Sequence, residues 1–593
     1  MTRIKILRYL TLAALGIITA RLFVIQIFEH DMWVAKANDQ HTLLETITAR
    51  RGEIYMMDGG EPVAVVMNQT VYQIIIDPAV TPKDELAQVL SEHAKDYLTA
   101  DLDEVYNIEG LRYYVVARGV PYSNATKIAE AGLPSVWLKE GNARVYPEGE
   151  MASTLLGFVN ADGVGQYGVE GSLNTLLSGK DGLLKTISDV NNVALSIGND
   201  NIKIPATDGA DVVLSVDRGL EHGVEEIAAA ALETSAATNA AVLVMDPNTS
   251  EILAMTTLPN YNPASYGTVT DASAYINQVT EVPYEPASIC KNFTYSAALN
   301  EGKMTPDTTY FNEHFVYVDG WKIENAEQRA SLYGEMTMRR ALYWSLNTGS
   351  IYALKLLGDD PNNINEKGRE LLFNYYYNKF RLGNPTGFEL AEAEGFIPDP
   401  NEGWGRDSTY ANMTFGQNLG ITMLQTATAF SSVINGGTWR TPSIIKGILK
   451  DGVVVPVSGE GTGAAEVAEG SAYDFPDKIA DKILTDETSA TMREMLIGNR
   501  DYKVTSGIDR AGYAIGGKSG TAQVISNGAY DASFSELVGS YIGFVGPSGK
   551  KPQYVIMVKM WGAGQSIGSG DAMNLFDSLQ NYLIDYYKIK PGN

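Results

Sequence analysis

Tyr284-Glu285-Pro286-Ala287-Ser288-Ile289-Cys290-Lys291 is the stretch from which the rest of the chain can be read. Ser288 and Lys291 are three apart, which on a helix puts both side chains on one face, one turn apart. Pro286 suits a loop entering a helix, so Ser288 is expected in the first turn. A hydroxyl there lies near unpaired backbone N–H groups and the positive end of the helix dipole, both of which favour a developing negative charge. Lys291 can take the serine proton if it is neutral, and burial beside a second cation pushes a lysine that way. Cys290 is turned off the Ser288/Lys291 face by the same helical spacing and is read as a packing residue.

A serine and lysine at this spacing also occur on ordinary surface helices. Two later pieces change the reading: Ser345-Leu346-Asn347, and Gly516-Gly517-Lys518-Ser519-Gly520-Thr521-Ala522-Gln523. Three sparse motifs in this order are the set shared by penicillin-binding proteins and class A β-lactamases. The chain resembles the class B penicillin-binding proteins, the monofunctional D,D-transpeptidases that cross-link peptidoglycan, of the division and sporulation type. The likeness extends to Asp246 through Met255, Pro259-Asn260-Tyr261-Asn262-Pro263, Arg50-Arg51-Gly52-Glu53-Ile54-Tyr55, Arg144-Val145-Tyr146-Pro147, Gly168-Val169-Glu170-Gly171 and Leu177 through Gly182. It departs from the family pattern at Met56-Met57, where Asp-Arg is usual, and at Asn418 after Gly416-Gln417, where a glycine is usual.

The resemblance implies a role for each motif residue. Ser288 is the nucleophile that attacks a terminal D-Ala-D-Ala peptide, and Lys291 is its base. Ser345 relays a proton to the leaving amine, and Asn347 orients the Lys291 amine and the acyl chain amide. Lys518 supplies positive charge, while Ser519 and Thr521 bind the terminal carboxylate. Gly520 leaves room for substrate backbone along the strand, and the backbone N–H groups of Ser288 and Thr521 form the oxyanion hole.

Bulk properties fit this picture. A chain of 593 residues is too long for one core. A net charge of −26 argues against nucleic acid as a partner. One cysteine forbids an intrachain disulfide, no Cys/His/Asp group has metal-ligand spacing, and no phosphate loop precedes a helix. The expectation is an enzyme with no cofactor.

Residues 1–8 carry Arg3, Lys5 and Arg8, and an apolar run follows from Tyr9 to Phe28, long enough to cross a bilayer. Positive charge before it and Glu29 and Asp31 after it leave the N-terminus in the cytoplasm and the bulk of the chain outside a single-pass membrane anchor. Arg21 interrupts the run and reads either as snorkelling outward or as a contact with another membrane protein. Val34 to Leu44 is expected to continue the helix outward, and residues 29–205 form an elongated pedestal of dimerisation type. Residues 206–593 form the transpeptidase domain, α+β, with a five-stranded antiparallel sheet flanked by helices. Its strands are the hairpin Ala241–Met245 and Ile252–Thr256, the Lys518 strand, and the runs Val538–Val545 and Tyr554–Trp561. Leu220–Leu232, segment 355–385, Met423–Ile434 and Met573–Tyr587 read as helices, and Ser458–Gly470 as a flexible surface insertion.

Two hydrolytic readings compete. A β-lactamase needs a deacylating base, and Glu370-Leu371-Leu372-Phe373-Asn374 resembles the class A glutamate motif. A D,D-carboxypeptidase would share all three motifs and differ only in using water as acceptor. An inactive divisome scaffold is the non-enzymatic reading, against which the intact motifs speak. No glycosyltransferase domain is expected before the pedestal, so the resemblance implies a multi-spanning membrane glycosyltransferase and other cell-wall complex proteins as partners. It also implies peptidoglycan stem peptides as substrate and β-lactams as covalent inhibitors.

Overall fold

The computed structural model describes residues 2–33, 36, 42–187, 202–403, 405–457, 464–468, 471–503, 509–523, 525–526, 529–530 and 536–592. The N-terminal helix Thr2–Phe23 begins before the apolar run and continues as a π-helical turn, Val24–Phe28. Arg3–Phe28 is long and apolar enough to cross a membrane. Arg21 does not stand alone in that run: its guanidinium donates to the Glu29 carboxylate at 3.0 Å, two helical turns onward. The polar helix expected over Val34–Leu44 does not reach its end. Thr42–Ile47 is a strand paired antiparallel with Gly182–Ile187, which pairs in turn with Ile202–Ile204. Most of Val34–His41 lies outside the described residues. Met1–Gly52 and Ser178–Gly209 form one compact unit, tied internally where the Ala49 and Arg50 N–H groups donate to the Asp181 and Asp208 carboxylates at 2.8 and 2.9 Å.

The second unit contains Glu53–Leu177 and Ala210–Asn593. One of its sheets has seven strands, in which Val212–Asp217 lies between Ile445–Lys450 and Ile54–Asp58, the latter parallel to it. Beyond Ile54–Asp58, the sheet continues through the long strand Glu61–Ile76, which pairs with both Tyr114–Pro121 and Val136–Val145. Two turn-like elements of the sequence meet here. Arg144 Nε donates to Glu170 Oε1 at 2.7 Å, and both side chains are buried. Near Met56-Met57 the ion pairing is taken up by Arg218, which bridges Asp58 and Glu148 at 2.8 Å each.

The expected five-stranded sheet is present. With β1 (Asn239–Met245), β2 (Ile252–Leu258), β3 (Tyr513–Gln523), β4 (Leu537–Pro547) and β5 (Tyr554–Trp561), the order is β2-β1-β5-β4-β3, antiparallel throughout. Alternation along each strand serves two cores. On β5, Ile556, Val558 and Met560 face α1 (Arg218–Thr234) and the C-terminal helix Ser569–Tyr586, whereas Val555 and Met557 face the large core on the other side. From that C-terminal helix, Leu575, Phe576, Leu579 and Leu583 are buried. At about 1.5–3 kcal/mol for each apolar side chain, packing holds this helix far more firmly than its propensity would.

The other face carries α2 (Lys291–Asn300), α3 (Asn347–Leu357), α4 (Met423–Ile434) and α5 (Asp486–Lys503). Every residue of α4 is buried. Such a helix tolerates Thr426 and Ser431 because their hydroxyls donate to the carbonyls of Thr422 and Ala427, both at 2.8 Å. A reciprocal Thr422/Gln425 capping box closes its N-terminus.

Segment 355–385 is less regular than its tyrosine-rich pattern suggests. Helix α3 stops at Leu357, Glu366–Phe373 forms a new helix, and a π-helical turn, Asn374–Lys379, ends the helical part. The stretch read as a flexible insertion contains a strand, Ala464–Ala468, paired with Ser471–Asp474. The rest of Ser458–Gly470 lies outside the described residues.

Candidate active site

Ser288 does not sit within an α-helix. Ala287–Cys290 is a 3₁₀ turn, and α2 begins at Lys291. The tighter turn keeps the serine ahead of the helix, half-buried, while Lys291 starts the buried helix behind it. Ala287 has φ of 49°, a left-handed conformation that costs a non-glycine residue roughly 1–3 kcal/mol. The loop beneath maintains it: Ala287 N–H donates to Gly416 O at 3.2 Å, and Asn418 N–H donates to the Glu285 carboxylate at 2.7 Å. A side chain at Gly416 would meet Ala287 O at 2.1 Å, so only glycine allows the two backbones to touch. Asn418, where a glycine is usual, has φ of 60°, which asparagine tolerates.

Lys291 is buried, and its amine lies 2.5 Å from Ser345 O, 3.2 Å from Ser345 Oγ and 2.9 Å from Asn347 Oδ1. Asn347 is oriented by its own amide, which donates to Glu324 O at 2.9 Å. Ser345, also left-handed at φ of 55°, turns its hydroxyl toward the third motif, where buried Lys518 donates to Oγ at 2.8 Å. One hydroxyl therefore lies between two buried lysine amines.

Lys518 and Gly520 project from the same face of β3 toward this cluster. The structure supplies a reason for glycine at 520 within the chain itself. Its missing Cβ would lie 2.5 Å from Pro286 O and 2.7 Å from Ser540 Oγ, so the glycine lets the Ser288 turn lie against the sheet. Among the described residues β3 is the last strand of its sheet. Gly517 O accepts from Asn499 Nδ2 at 2.7 Å, off that edge. By strand alternation the backbone groups of Ser519 and Thr521 point off the same edge.

Ser288, Ser345, Asn347, Ser519 and Thr521 line one cleft of about 1410 Å³. Trp321, Glu324, Arg329, Trp344 and Arg406 line it too, none of which the motifs indicate, and the Arg329 guanidinium stacks 5.2 Å from the Trp344 ring.

The transpeptidase domain model of penicillin-binding proteins matches residues 240–579, more than half of the chain. This chain belongs to the penicillin-binding transpeptidase family. The dimerisation domain of penicillin-binding proteins matches residues 46–214. The transpeptidase is 27% identical over 597 residues to peptidoglycan D,D-transpeptidase FtsI of Escherichia coli K12, covering 98% of this chain and 91% of that one. It is 28% identical to stage V sporulation protein D of Bacillus subtilis, covering 89% and 77%. Its fold matches that of penicillin binding protein 2X from Streptococcus thermophilus with a TM-score of 0.69 at 23% identity, covering 92% of this chain and 80% of the other.

Two residues weighed from sequence fall outside the transpeptidase's cleft. Glu370 is exposed on the helix Glu366–Phe373 and does not line it. Cys290 is fully buried, and burial pushes its thiol well above the ordinary range. Among the buried charges that the motifs do not indicate is Lys559, on the otherwise apolar β5. Its signal was visible, since a lone lysine inside a strand buried on both faces is out of pattern.

Proposed function

We propose that this chain is a peptidoglycan D,D-transpeptidase that works through a serine acyl-enzyme. The observation that carries this reading is the Ser345 hydroxyl, set between the Lys291 and Lys518 amines on the wall of the cleft that Ser288 lines. Two ammonium groups sharing one buried hydroxyl repel, so the pair favours one neutral amine, and Lys291, next to the nucleophile, is the base. Ser288 Oγ attacks the carbonyl of the penultimate D-alanine as its proton passes to Lys291. The oxyanion is met by the Ser288 and Thr521 N–H groups, each such donor being worth roughly 3–4 kcal/mol of barrier. The proton moves through Ser345 to the departing D-alanine amine, leaving the peptide esterified to Ser288. An acceptor amine then attacks the ester, its proton leaves by the same route, and the serine is restored. Lys518, Ser519 and Thr521 hold the terminal carboxylate, and Asn347 orients Lys291 and the acyl amide. β-Lactams, which present a strained amide to the same serine, are expected to acylate it.

By this reading residues 1–8 are cytoplasmic, 9–28 cross the membrane, 29–205 are the pedestal, and 206–593, the catalytic part, lie outside. A multi-spanning glycosyltransferase supplies the glycan, with Arg21 and the pedestal as contact points. Intact mass after incubation with a fluorescent penicillin tests the chemistry. A lasting one-to-one adduct on the wild type, absent from Ser288→Ala, is expected. Rapid turnover without adduct would mean a hydrolase, and neither adduct nor turnover would mean a scaffold.

A further inference from the structure

Directly opposed residues on five adjacent strands form one row across the sheet: Thr257, Ala241, Lys559, Ser540 and Gly520. The row lies under the chain segment that carries Ser288. At one end, Thr257 Oγ1 accepts from Gln278 N–H at 3.4 Å; at the other, Gly520 is the position where a Cβ would strike Pro286 O. Four of the five residues are small. The exception is Lys559, 3% exposed. Its amine donates to Gln278 Oε1 at 3.2 Å and lies 4.9 Å from the centre of the Tyr284 ring and 4.5 Å from that of Trp561. Among the described residues no carboxylate pairs with it.

A buried lysine without a counter-ion is a costly choice where methionine would fill the same space. What it touches suggests why it is there. Gln278 and Tyr284 both belong to the segment that leads into the Ser288 turn, and Tyr284 is fixed on its other side by mutual backbone hydrogen bonds with Ile421, at 3.0 Å each. Tyr284 is therefore held by its backbone to Ile421 and by its ring against the amine. We propose that Lys559 is a positioning residue for acylation: its ammonium, anchored on Gln278 and enclosed by Tyr284 and Trp561, seats the segment from Gln278 to Ser288 at the height the Lys518 strand requires. This rests on the reading of Ser288 as nucleophile.

The seat depends on a proton. Burial lowers the Lys559 amine to about 7, so its charge changes in the working range. The other titratable groups on the elements around it are Glu281, Tyr284, Glu285 and Cys290 of that segment, Tyr541 of β4 and Lys518 of β3. Burial raises Glu281, Tyr284 and Cys290, so the phenol and thiol stay neutral, and Glu281 and Glu285 take backbone N–H groups of Asn277 and Asn418. Methionine imitates the neutral amine.

The test is the rate of acylation by a fluorescent penicillin, from pH 6 to 9, on the full chain in detergent. For Lys559→Met the saturating rate constant is expected to fall at least tenfold below pH 7, with the concentration dependence unchanged. The ratio of wild type to variant should close to within twofold by pH 9, whereas titration of Lys291, common to both chains, cancels in the ratio. A ratio that is constant with pH, or within twofold throughout, would overturn the proposal. Gln278→Leu, which removes the acceptor for the ammonium, decides the matter if Lys559→Met does not fold: its transition should lie at lower pH than that of the wild type, and an unmoved transition would overturn the proposal. A wild type that takes no adduct at Ser288 would overturn the nucleophile reading and this one with it; a wild type that acylates with a flat ratio overturns the seat alone.

Discussion

Replacing Lys559 with methionine has a thermodynamic consequence separate from its effect on rate. Folding lowers this amine from 10.5 to about 7, with burial as the cause. Between those two values the unfolded chain holds a proton that the folded chain has released. Wild-type stability therefore rises with pH across that window, and the full penalty is present below about 7. A displacement of this size corresponds to on the order of 5 kcal/mol, at about 1.4 kcal/mol per pH unit. Methionine has no proton to lose, so the variant lacks this slope, while all other lysines and tyrosines titrate alike in both chains. The expected result is a variant more stable than the wild type near pH 6.5, by several degrees in thermal midpoint, with the gap closing toward pH 10. Thermal unfolding of the two full-length chains in detergent, at four or five pH values, measures it. Parallel curves would refute the reasoning, since they would mean that the folded protein leaves this amine as well solvated as the unfolded chain does. A gain in stability with a loss of rate is the trade expected of a group kept for its function.

Four further outcomes follow from the geometry. Gly520→Ala places a methyl group 2.5 Å from Pro286 O, so the Ser288 turn must lift; acylation by fluorescent penicillin should fall about 10²-fold with little change in thermal midpoint. Ser345→Ala removes the hydroxyl between the two lysines and should slow acylation by about 10²–10⁴-fold, read in the same assay, with the fold intact. Glu170→Gln leaves the buried Arg144 guanidinium without its counter-charge and should cost about 3–5 kcal/mol, seen as a lower thermal midpoint. Glu370→Gln should leave the lifetime of the penicillin adduct unchanged in a washout experiment, because its side chain is exposed and away from the cleft.

The clustering of the motif residues was legible wherever the motifs are short. Ser288 with Lys291, Ser345 with Asn347, and Lys518 through Thr521 are each local, and the structure brings the three groups to one cleft. The five strands were legible because apolar runs bounded by turns have few other uses. What was hidden depends on pairs far apart in the chain. Nothing near Arg144 announces Glu170, and nothing near Tyr284 announces Lys559. Backbone conformation was hidden as well: Ala287 and Ser345 are left-handed residues of types that rarely adopt that geometry, and only the surrounding packing imposes it. The polar pattern of Val34–Leu44 failed at its end because strand pairing with Gly182–Ile187 is decided by a partner well over a hundred residues away. At Gly520 the sequence could not show that a side chain would strike the chain's own Pro286 O, a contact between residues more than two hundred apart.

The position of β3 at the border of its sheet has a consequence for selectivity. An extended ligand laid along β3 would meet backbone groups and the short hydroxyls of Ser519 and Thr521, which read the direction of its backbone more than its side chains. Discrimination by side chain then falls to other residues that line the cleft, Trp321, Arg329, Trp344 and Arg406, which offer rings and charge. Compounds that imitate only a peptide's backbone should bind relatives of this chain indiscriminately, and those that also reach these rings and guanidinium groups should tell them apart.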